Sequence, residues 1–298
     1  MTGLPVRAPE WIRERKLRLS DLHAVKAVMR QNALHTVCEE ARCPNRGECF
    51  SRGTATFLLL GDVCTRACGF CHIANGKPLP VDPMEPWRVR SAAEAMKLAF
   101  VVLTSVDRDD LPDGGAAHFA ETIRAVRTLD PMPGVEVLTP DFLGRRESLA
   151  VVVAERPDVF NHNVETVPRL YRDVRRGARL ERSLDLLAAA KAMDPRLTTK
   201  SGFMLGLGER EDEVDDLLLR MRQSNVDIVT IGQYLQPSRE NLPVVEYVRP
   251  EVFERHRERG EALGFRHVFS GPFVRSSYRA EEALQAAGSG PGGTGPSA

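Results

Sequence analysis

Six apolar, β-rich runs recur along the chain with room for a helix between them, and this alternation constrains the fold more than any other feature. They are Thr56–Leu60, Phe100–Thr104, Val135–Leu138, Val159–Asn163, Thr198–Met204 and Ile228–Gln233. Ala92–Lys97, Ala117–Thr128, Leu143–Glu155, Arg182–Met193 and Glu211–Ser224 lie between them with apolar residues at helical spacing. Near-continuous apolar strands separated by helices specify a parallel sheet covered on both faces. The expected class is α/β, an open, partial (β/α)6 TIM-type barrel, because a closed barrel needs two further strands that the pattern does not offer. At 298 residues and 42% hydrophobic, the chain is long enough to bury such a core.

Polar groups gather where the strands are expected to end: Thr104-Ser105, Thr139-Pro140-Asp141, Asn161-His162-Asn163, Lys200-Ser201 and Gln233-Tyr234. Active sites of parallel barrels lie at that end. One such group is an ordinary cap or turn; five alike point to a site. The expected organisation is a Cys-rich N-terminal extension over residues 1–50, the barrel over 51–270, and a short C-terminal segment over 271–298 whose Gly288–Ala298 stretch is low in complexity and expected to be disordered. Lys+Arg and Asp+Glu both number 41, which excludes the basic excess of nucleic-acid and membrane-surface proteins. The N-terminus has neither an apolar h-region nor a twin-arginine signal, and no run reaches the length of a membrane span. The cytoplasm is the expected compartment.

All six cysteines fall between Cys38 and Cys71: Cys38, Cys43 and Cys49 as C-x4-C-x5-C, then Cys64, Cys68 and Cys71 as C-x3-C-x2-C. In a reducing compartment clustered thiols are metal ligands rather than disulfides, and a chain of this length needs no staples. Three thiolates on a short loop suit one corner of an iron–sulfur cubane and leave one iron open; each triplet is one ligand short. The rival is zinc on Cys64, Cys68 and Cys71 with His72 or His35, although structural zinc sites pair two short units and only one C-x2-C is present. The Met204-Leu-Gly-Leu-Gly208 run lacks the Lys-Ser/Thr of a phosphate loop and the third glycine of a dinucleotide fingerprint, so it is read as close strand–helix packing.

The Cys64-Thr-Arg-Ala-Cys68-Gly-Phe-Cys71 loop after the first strand resembles the signature of the radical S-adenosylmethionine (SAM) superfamily. That resemblance implies a [4Fe–4S] cluster whose free iron chelates the methionine end of SAM. An electron from the cluster then cleaves SAM to a 5′-deoxyadenosyl radical that abstracts hydrogen from unactivated carbon. Longer segments resemble the lipoyl synthase family: Leu34-His-Thr-Val-Cys38-Glu-Glu-Ala-Arg-Cys43-Pro-Asn-Arg-Gly-Glu-Cys49-Phe, Thr104-Ser-Val-Asp-Arg-Asp-Asp-Leu-Pro-Asp-Gly-Gly115, Val137-Leu-Thr-Pro-Asp-Phe142, Asn161-His-Asn-Val-Glu-Thr166, Lys200-Ser-Gly-Phe-Met-Leu-Gly-Leu-Gly-Glu209, Gly232-Gln-Tyr-Leu-Gln-Pro237 and Arg275-Ser-Ser-Tyr-Arg-Ala280. They run in order over nearly the whole chain.

This second resemblance implies a sulfurtransferase that inserts two sulfurs, at C6 and C8, into an octanoyl group amide-linked to a lysine of a carrier domain. The sulfur comes from an auxiliary [4Fe–4S] cluster on Cys38, Cys43, Cys49 and a serine of the RSSY segment, Ser276 or Ser277, with Ser277 favoured. Serine oxygen is a hard ligand on a soft metal, so it suits a cluster that is dismantled; without the resemblance both serines read as turn residues. The Asp113-Gly114-Gly115 segment is where the superfamily sets backbone against the cofactor's amino group, and glycine permits close approach. Asn163, Glu165, Lys200 and Gln233 are expected to contact ribose, carboxylate or adenine, or else to cap helices and satisfy backbone. Expected partners are an octanoylated lipoyl domain of a 2-oxoacid dehydrogenase or the H protein of glycine cleavage, an electron donor such as flavodoxin or ferredoxin, and cluster-assembly proteins, with no nucleic acid and no membrane.

The chain departs from the family's pattern at Val174–Ser183, where arginines stand in place of a proline and an acid. Arg172, Arg175, Arg176, Arg179 and Arg182 are read either as a docking face for an acidic carrier or as a solvated helix surface. Two rival functions remain at this point: another sulfur-inserting or methylthio-transferring radical enzyme, and a zinc-stabilised binding module.

Overall fold

The computed structural model describes residues 8–13, 27–36, 54–277 and 282. Its strands are β1 (His35–Thr36), β2 (Thr54–Leu59), β3 (Val63–Cys64), β4 (Ala74–Asn75), β5 (Phe100–Ser105), β6 (Gly134–Leu138), β7 (Val159–Asn161), β8 (Thr198–Leu205), β9 (Ile228–Gln233) and β10 (His267–Gly271). The main helices are α1 (Glu85–Ala95), α2 (Ala116–Val126), α3 (Arg146–Ala154), α4 (Leu180–Met193), α5 (Glu211–Gln223) and α6 (Pro250–Ala262). Eight strands form one sheet in the order β1-β2-β5-β6-β7-β8-β9-β10, with β3 and β4 as a separate pair. From β2 to β10 every neighbour is parallel; β1 alone is antiparallel, His35 facing Leu58.

Each of the six apolar runs forms a strand of the curved sheet, and every residue of β2 and β9 is buried, as a sheet covered on both faces requires. Helix α2 begins where its backbone donors find acceptors. At α2 both Asp113 carboxylate oxygens are used, accepting from Gly115 N–H at 2.9 Å and Ala117 N–H at 2.8 Å. In α5 three acids open the helix and Arg220 and Arg222 close it, matching its dipole. Phe57, Leu103, Val137, Phe160, Phe203 and Leu217 belong to one continuous core.

The structure adds a unit that the apolar pattern did not show. Helix α6 and strand β10 extend the parallel sheet past β9, giving β2, β5, β6, β7, β8, β9 and β10 a common direction. Because β10 ends at Gly271, the expected boundary at residue 270 cuts through a strand. At the opposite edge the N-terminal extension packs through Met29, Leu34 and Thr36, all buried. The first cysteine triplet and the Gly288–Ala298 tail lie outside the described residues. No described helix is long and apolar enough to cross a membrane.

Candidate metal centre and cofactor site

Strand β2 delivers the chain to the mouth of the barrel, where Leu60 and Gly61 turn through left-handed conformations (φ 67° and 92°). The loop that follows carries Cys64, Cys68 and Cys71, all free and half-buried. It is bolted down from several directions. Gly69 N–H donates to Val174 O at 2.9 Å, and Asn241 Nδ2 donates to Cys71 O at 2.7 Å. Thr65 donates to Asp107 O through both its N–H (3.0 Å) and its hydroxyl (2.9 Å). A Cβ at Gly69 would come within 2.6 Å of Asp173 O, so only glycine allows this approach.

Burial pushes the Cys64 thiol up to about 11, with Asp107 adding to it, and burial pushes Cys68 up to about 12 against the pull of Arg175. Burial also raises Cys71. Without a cation these are therefore protonated thiols, and binding a soft metal releases their protons. Donors already face the sulfur: Asp107 N–H and Arg66 N–H reach Cys64 Sγ at 3.3 and 3.4 Å.

Beneath the loop lies a network that the sequence reading missed. Arg66, a spacer residue between Cys64 and Cys68, is buried and forks onto Asp109 at 2.7 and 2.8 Å. It also reaches Asp141 at 2.6 Å and Asp107 at 3.3 Å. Asp141 takes a further bond from Arg182 Nη1 at 3.1 Å. Burial alone would raise the Asp141 carboxyl, but Arg66 overrides it and holds that group well below the usual carboxylate range. The ends of β5 and β6 are thus tied to the cysteine loop by bidentate, charge-assisted bonds. The only signals in the sequence were an arginine inside a cysteine spacer and the Asp-Arg-Asp-Asp run.

Across the mouth, His162 Nδ1 lies 2.8 Å from the Thr139 carbonyl, which can only accept, so Nδ1 carries the proton. Its Nε2 then accepts from Ser183 Oγ (2.9 Å) and Arg175 Nη2 (3.3 Å). Burial, reinforced by Arg175, lowers His162 to about 3 and keeps it neutral. Arg175 has only neutral hydrogen-bond partners and no carboxylate within ion-pair distance among the described residues. Nearby, burial raises the Glu165 carboxyl against Arg175 and a bond from Asn163. Buried polar atoms without protein partners also occur here, namely Ser105 Oγ, Thr139 Oγ1 and Asn163 Oδ1. An unmatched guanidinium beside orphaned donors and acceptors fits a polar, zwitterionic ligand such as SAM.

The expected cofactor contacts divide. Asn163 and Glu165 sit beyond the end of β7, and Gly114 and Gly115 precede α2 with left-handed φ of 63° and 90°. Asp113 is occupied as the clasp of α2. Lys200 does not stand at a strand end: β8 runs on to Leu205, and the buried ammonium is held by both Glu136 oxygens at 3.1 and 2.9 Å. Gln233 does end β9, but its amide is consumed by Tyr234 O, Glu246 O and Val248 N–H, so it braces a loop. Lys200 and Gln233 therefore have no free group to offer a cofactor. Ser276 and Ser277 form a half-buried turn after β10; Pro272 O accepts from Gln233 N–H at 3.4 Å, which lays this segment at the same end of the barrel as the cysteine loop.

A three-cysteine loop after the first strand of an open parallel barrel, facing an unmatched arginine, defines a radical SAM enzyme, and the family model described as the radical SAM superfamily matches residues 58–221. Solved structures agree on the fold. Streptococcus suis SuiB superposes with a TM-score of 0.55 at 13% identity, covering 86% of this chain and 53% of that one. HydG, a maturase of the [FeFe]-hydrogenase, gives 0.54 at 14% identity, covering 86% and 66%. Relatives of much higher identity narrow the class. Lipoyl synthase of Azotobacter vinelandii is 53% identical over 277 residues, 93% of this chain and 85% of that one. Those of Methylococcus capsulatus and Acidithiobacillus ferrooxidans are each 54% identical over 281 residues, 94% of this chain and 87% and 89% of theirs. The chain belongs to the lipoyl synthase family. It is a sulfur-inserting radical SAM enzyme whose cofactors are SAM and two [4Fe–4S] clusters, acting on a protein-bound octanoyl group.

Proposed function

We propose a division of labour among the residues of this chain for that reaction. Cys64, Cys68 and Cys71 hold the cluster that binds SAM; Cys38, Cys43, Cys49 and Ser277 hold the auxiliary cluster that gives up sulfur. The observation that carries the first assignment is the convergence of three free thiols, the unmatched Arg175 and the orphaned Asn163 and Ser105 atoms at one end of the barrel. Arg175 binds the cofactor's carboxylate, Gly114 and Gly115 bring backbone to its amino group, and Asn163 with Glu165 orients its ribose. When bound, the cluster and SAM supply the electron and the radical that remove hydrogen from carbon. The chain's own task is to orient these groups and exclude water; no side chain is required as a conventional acid or base.

The substrate is an octanoyl group on a lysine of a carrier domain, and the exposed Arg172, Arg176 and Arg179 form the rim it meets. A small electron-transfer protein such as flavodoxin or ferredoxin reduces the SAM-binding cluster, assembly proteins rebuild the auxiliary one, and the compartment is the cytoplasm. The division into N-terminal extension, barrel and C-terminal segment follows the ligand sets. Anaerobically reconstituted protein, incubated with SAM, a strong reductant and an octanoyl-lysyl carrier domain, is expected to yield a carrier heavier by two sulfurs. Cys38→Ala should lose sulfur insertion while still forming 5′-deoxyadenosine. If protein shown to hold both clusters forms neither product, the assignment fails; if Cys38→Ala still adds sulfur, the donor assignment fails alone.

A further inference from the structure

A buried carboxylate–imidazole hydrogen bond lies outside the site just described. Glu85 opens α1 and His118 sits in the first turn of α2; both are buried, with His118 Nε2 2.6 Å from Glu85 Oε2. The same carboxylate oxygen accepts from Leu60 N–H at 2.8 Å. Leu60 is the left-handed residue that follows β2 and starts the path to Cys64. Its carbonyl takes Arg108 Nη1 at 3.4 Å, and its Cδ1 lies 2.4 Å from where a Cβ on Gly115 would stand. Thus one carboxylate grips the strand leading to the cysteines, while its histidine partner rides on the helix whose N-terminus is the glycine segment.

Packing alone does not account for this arrangement. Val89 and Ala92 of α1 and Phe119 and Ile123 of α2 are all buried in one continuous core. An apolar pair of similar volume would fill that contact without desolvating two ionisable groups. It could not hold the Leu60 N–H, however, or fix a leucine in a conformation that costs free energy unless its surroundings impose it. We propose that the Glu85–His118 pair is a positioning device that sets the cysteine loop against the Gly114–Gly115 segment, so that one SAM molecule meets both at once. The inference rests on the reading of those glycines as the amino-group contact.

The test is SAM affinity, measured without turnover. SAM is titrated into the anaerobic protein carrying its clusters in the oxidised state, which cannot cleave it, and titration calorimetry gives a Kd. Glu85→Ala and His118→Ala should each weaken SAM by about tenfold or more, since small displacements between two binding elements are felt by a ligand that spans them. His118→Gln, which can still donate to Glu85, should restore most of the loss. If Glu85→Ala does not fold, Glu85→Gln, which keeps an acceptor for Leu60, should show a smaller weakening of the same kind. Variants that melt earlier yet bind SAM as the parent does would overturn the proposal, leaving the pair a stability element. Gly114→Ala, whose Cβ would meet Phe142 rather than Leu60, separates the two readings: if it leaves SAM affinity unchanged the glycine assignment fails, and if it alone weakens SAM the clamp fails.

Discussion

Replacing Arg66 with alanine removes the central cation from a buried cluster of charges. With Arg66 present, two arginines (Arg66, Arg182) face three carboxylates (Asp107, Asp109, Asp141), a net of −1; without it, Arg182 alone faces the same three, a net of −2. Removing one partner of a buried ion pair costs about 3–5 kcal/mol, because the others stay buried and uncompensated. That is a large part of the ~5–15 kcal/mol that holds a domain together. At roughly 2–4 °C per kcal/mol for a chain of this size, the melting temperature should fall by about 6–20 °C. Arg66→Lys keeps the charge but not the fork, and should lose at least one charge-assisted bond, about 1.5–3 kcal/mol. The assay is anaerobic guanidinium unfolding of the metal-free protein, paired with iron content after reconstitution. Unfolding within about 1 kcal/mol of the parent, or full iron loading by the alanine variant, would refute the view that this network holds the cysteine loop.

Arg176 and Arg179 are exposed, so Arg176→Glu with Arg179→Glu should weaken carrier binding several-fold at low salt. The gap should close as salt screens the rim, while SAM cleavage without carrier stays intact. Unchanged affinity at low salt would remove this face from the interface. His162 yields a pH prediction. The unfolded histidine takes a proton below about pH 6.5 and the folded one not until about 3, so the unfolded state binds more protons in that window and stability drops as the pH is lowered through it. The His162 contribution should approach 1.4 kcal/mol per pH unit, to be read by denaturant unfolding between about pH 6.5 and 4.5 as the difference between the parent and His162→Asn. The variant's curve should be flatter; an equally steep one would contradict a buried neutral imidazole.

The six central strands were legible because each is buried on both faces and so reads as an apolar run. Strand β10 was not: its five residues, His-Val-Phe-Ser-Gly, are mostly half-exposed at the sheet's edge, and α6 buries only Phe253, His256 and Gly260. The cysteine loop was legible from spacing alone. Lys200 misled because composition marks a strand but not its phase; only pairing with Asn161 and Ile228 shows that it lies early in β8. Arg66 went unassigned, and Arg175 was read as part of a docking face or solvated surface, for a related reason. Their partners are brought close by the fold rather than by sequence, and Arg175 looked like one more member of an arginine-rich surface until its guanidinium was seen turned inward.

The two edges of the open sheet lead to the two halves of the proposed auxiliary ligand set. One edge is β1, whose last residue, Thr36, precedes Cys38; the other is β10, whose last residue, Gly271, precedes Ser277. A cluster held by both would act as a clasp fastening the sheet's two free margins, a covalent tie across nearly the full length of the chain. Ties of that span restrict an unfolded chain more than short ones do. Each time the cluster surrenders its sulfide the clasp would open, so the enzyme would leave turnover with its margins unfastened and its two ends free for whatever rebuilds the cluster.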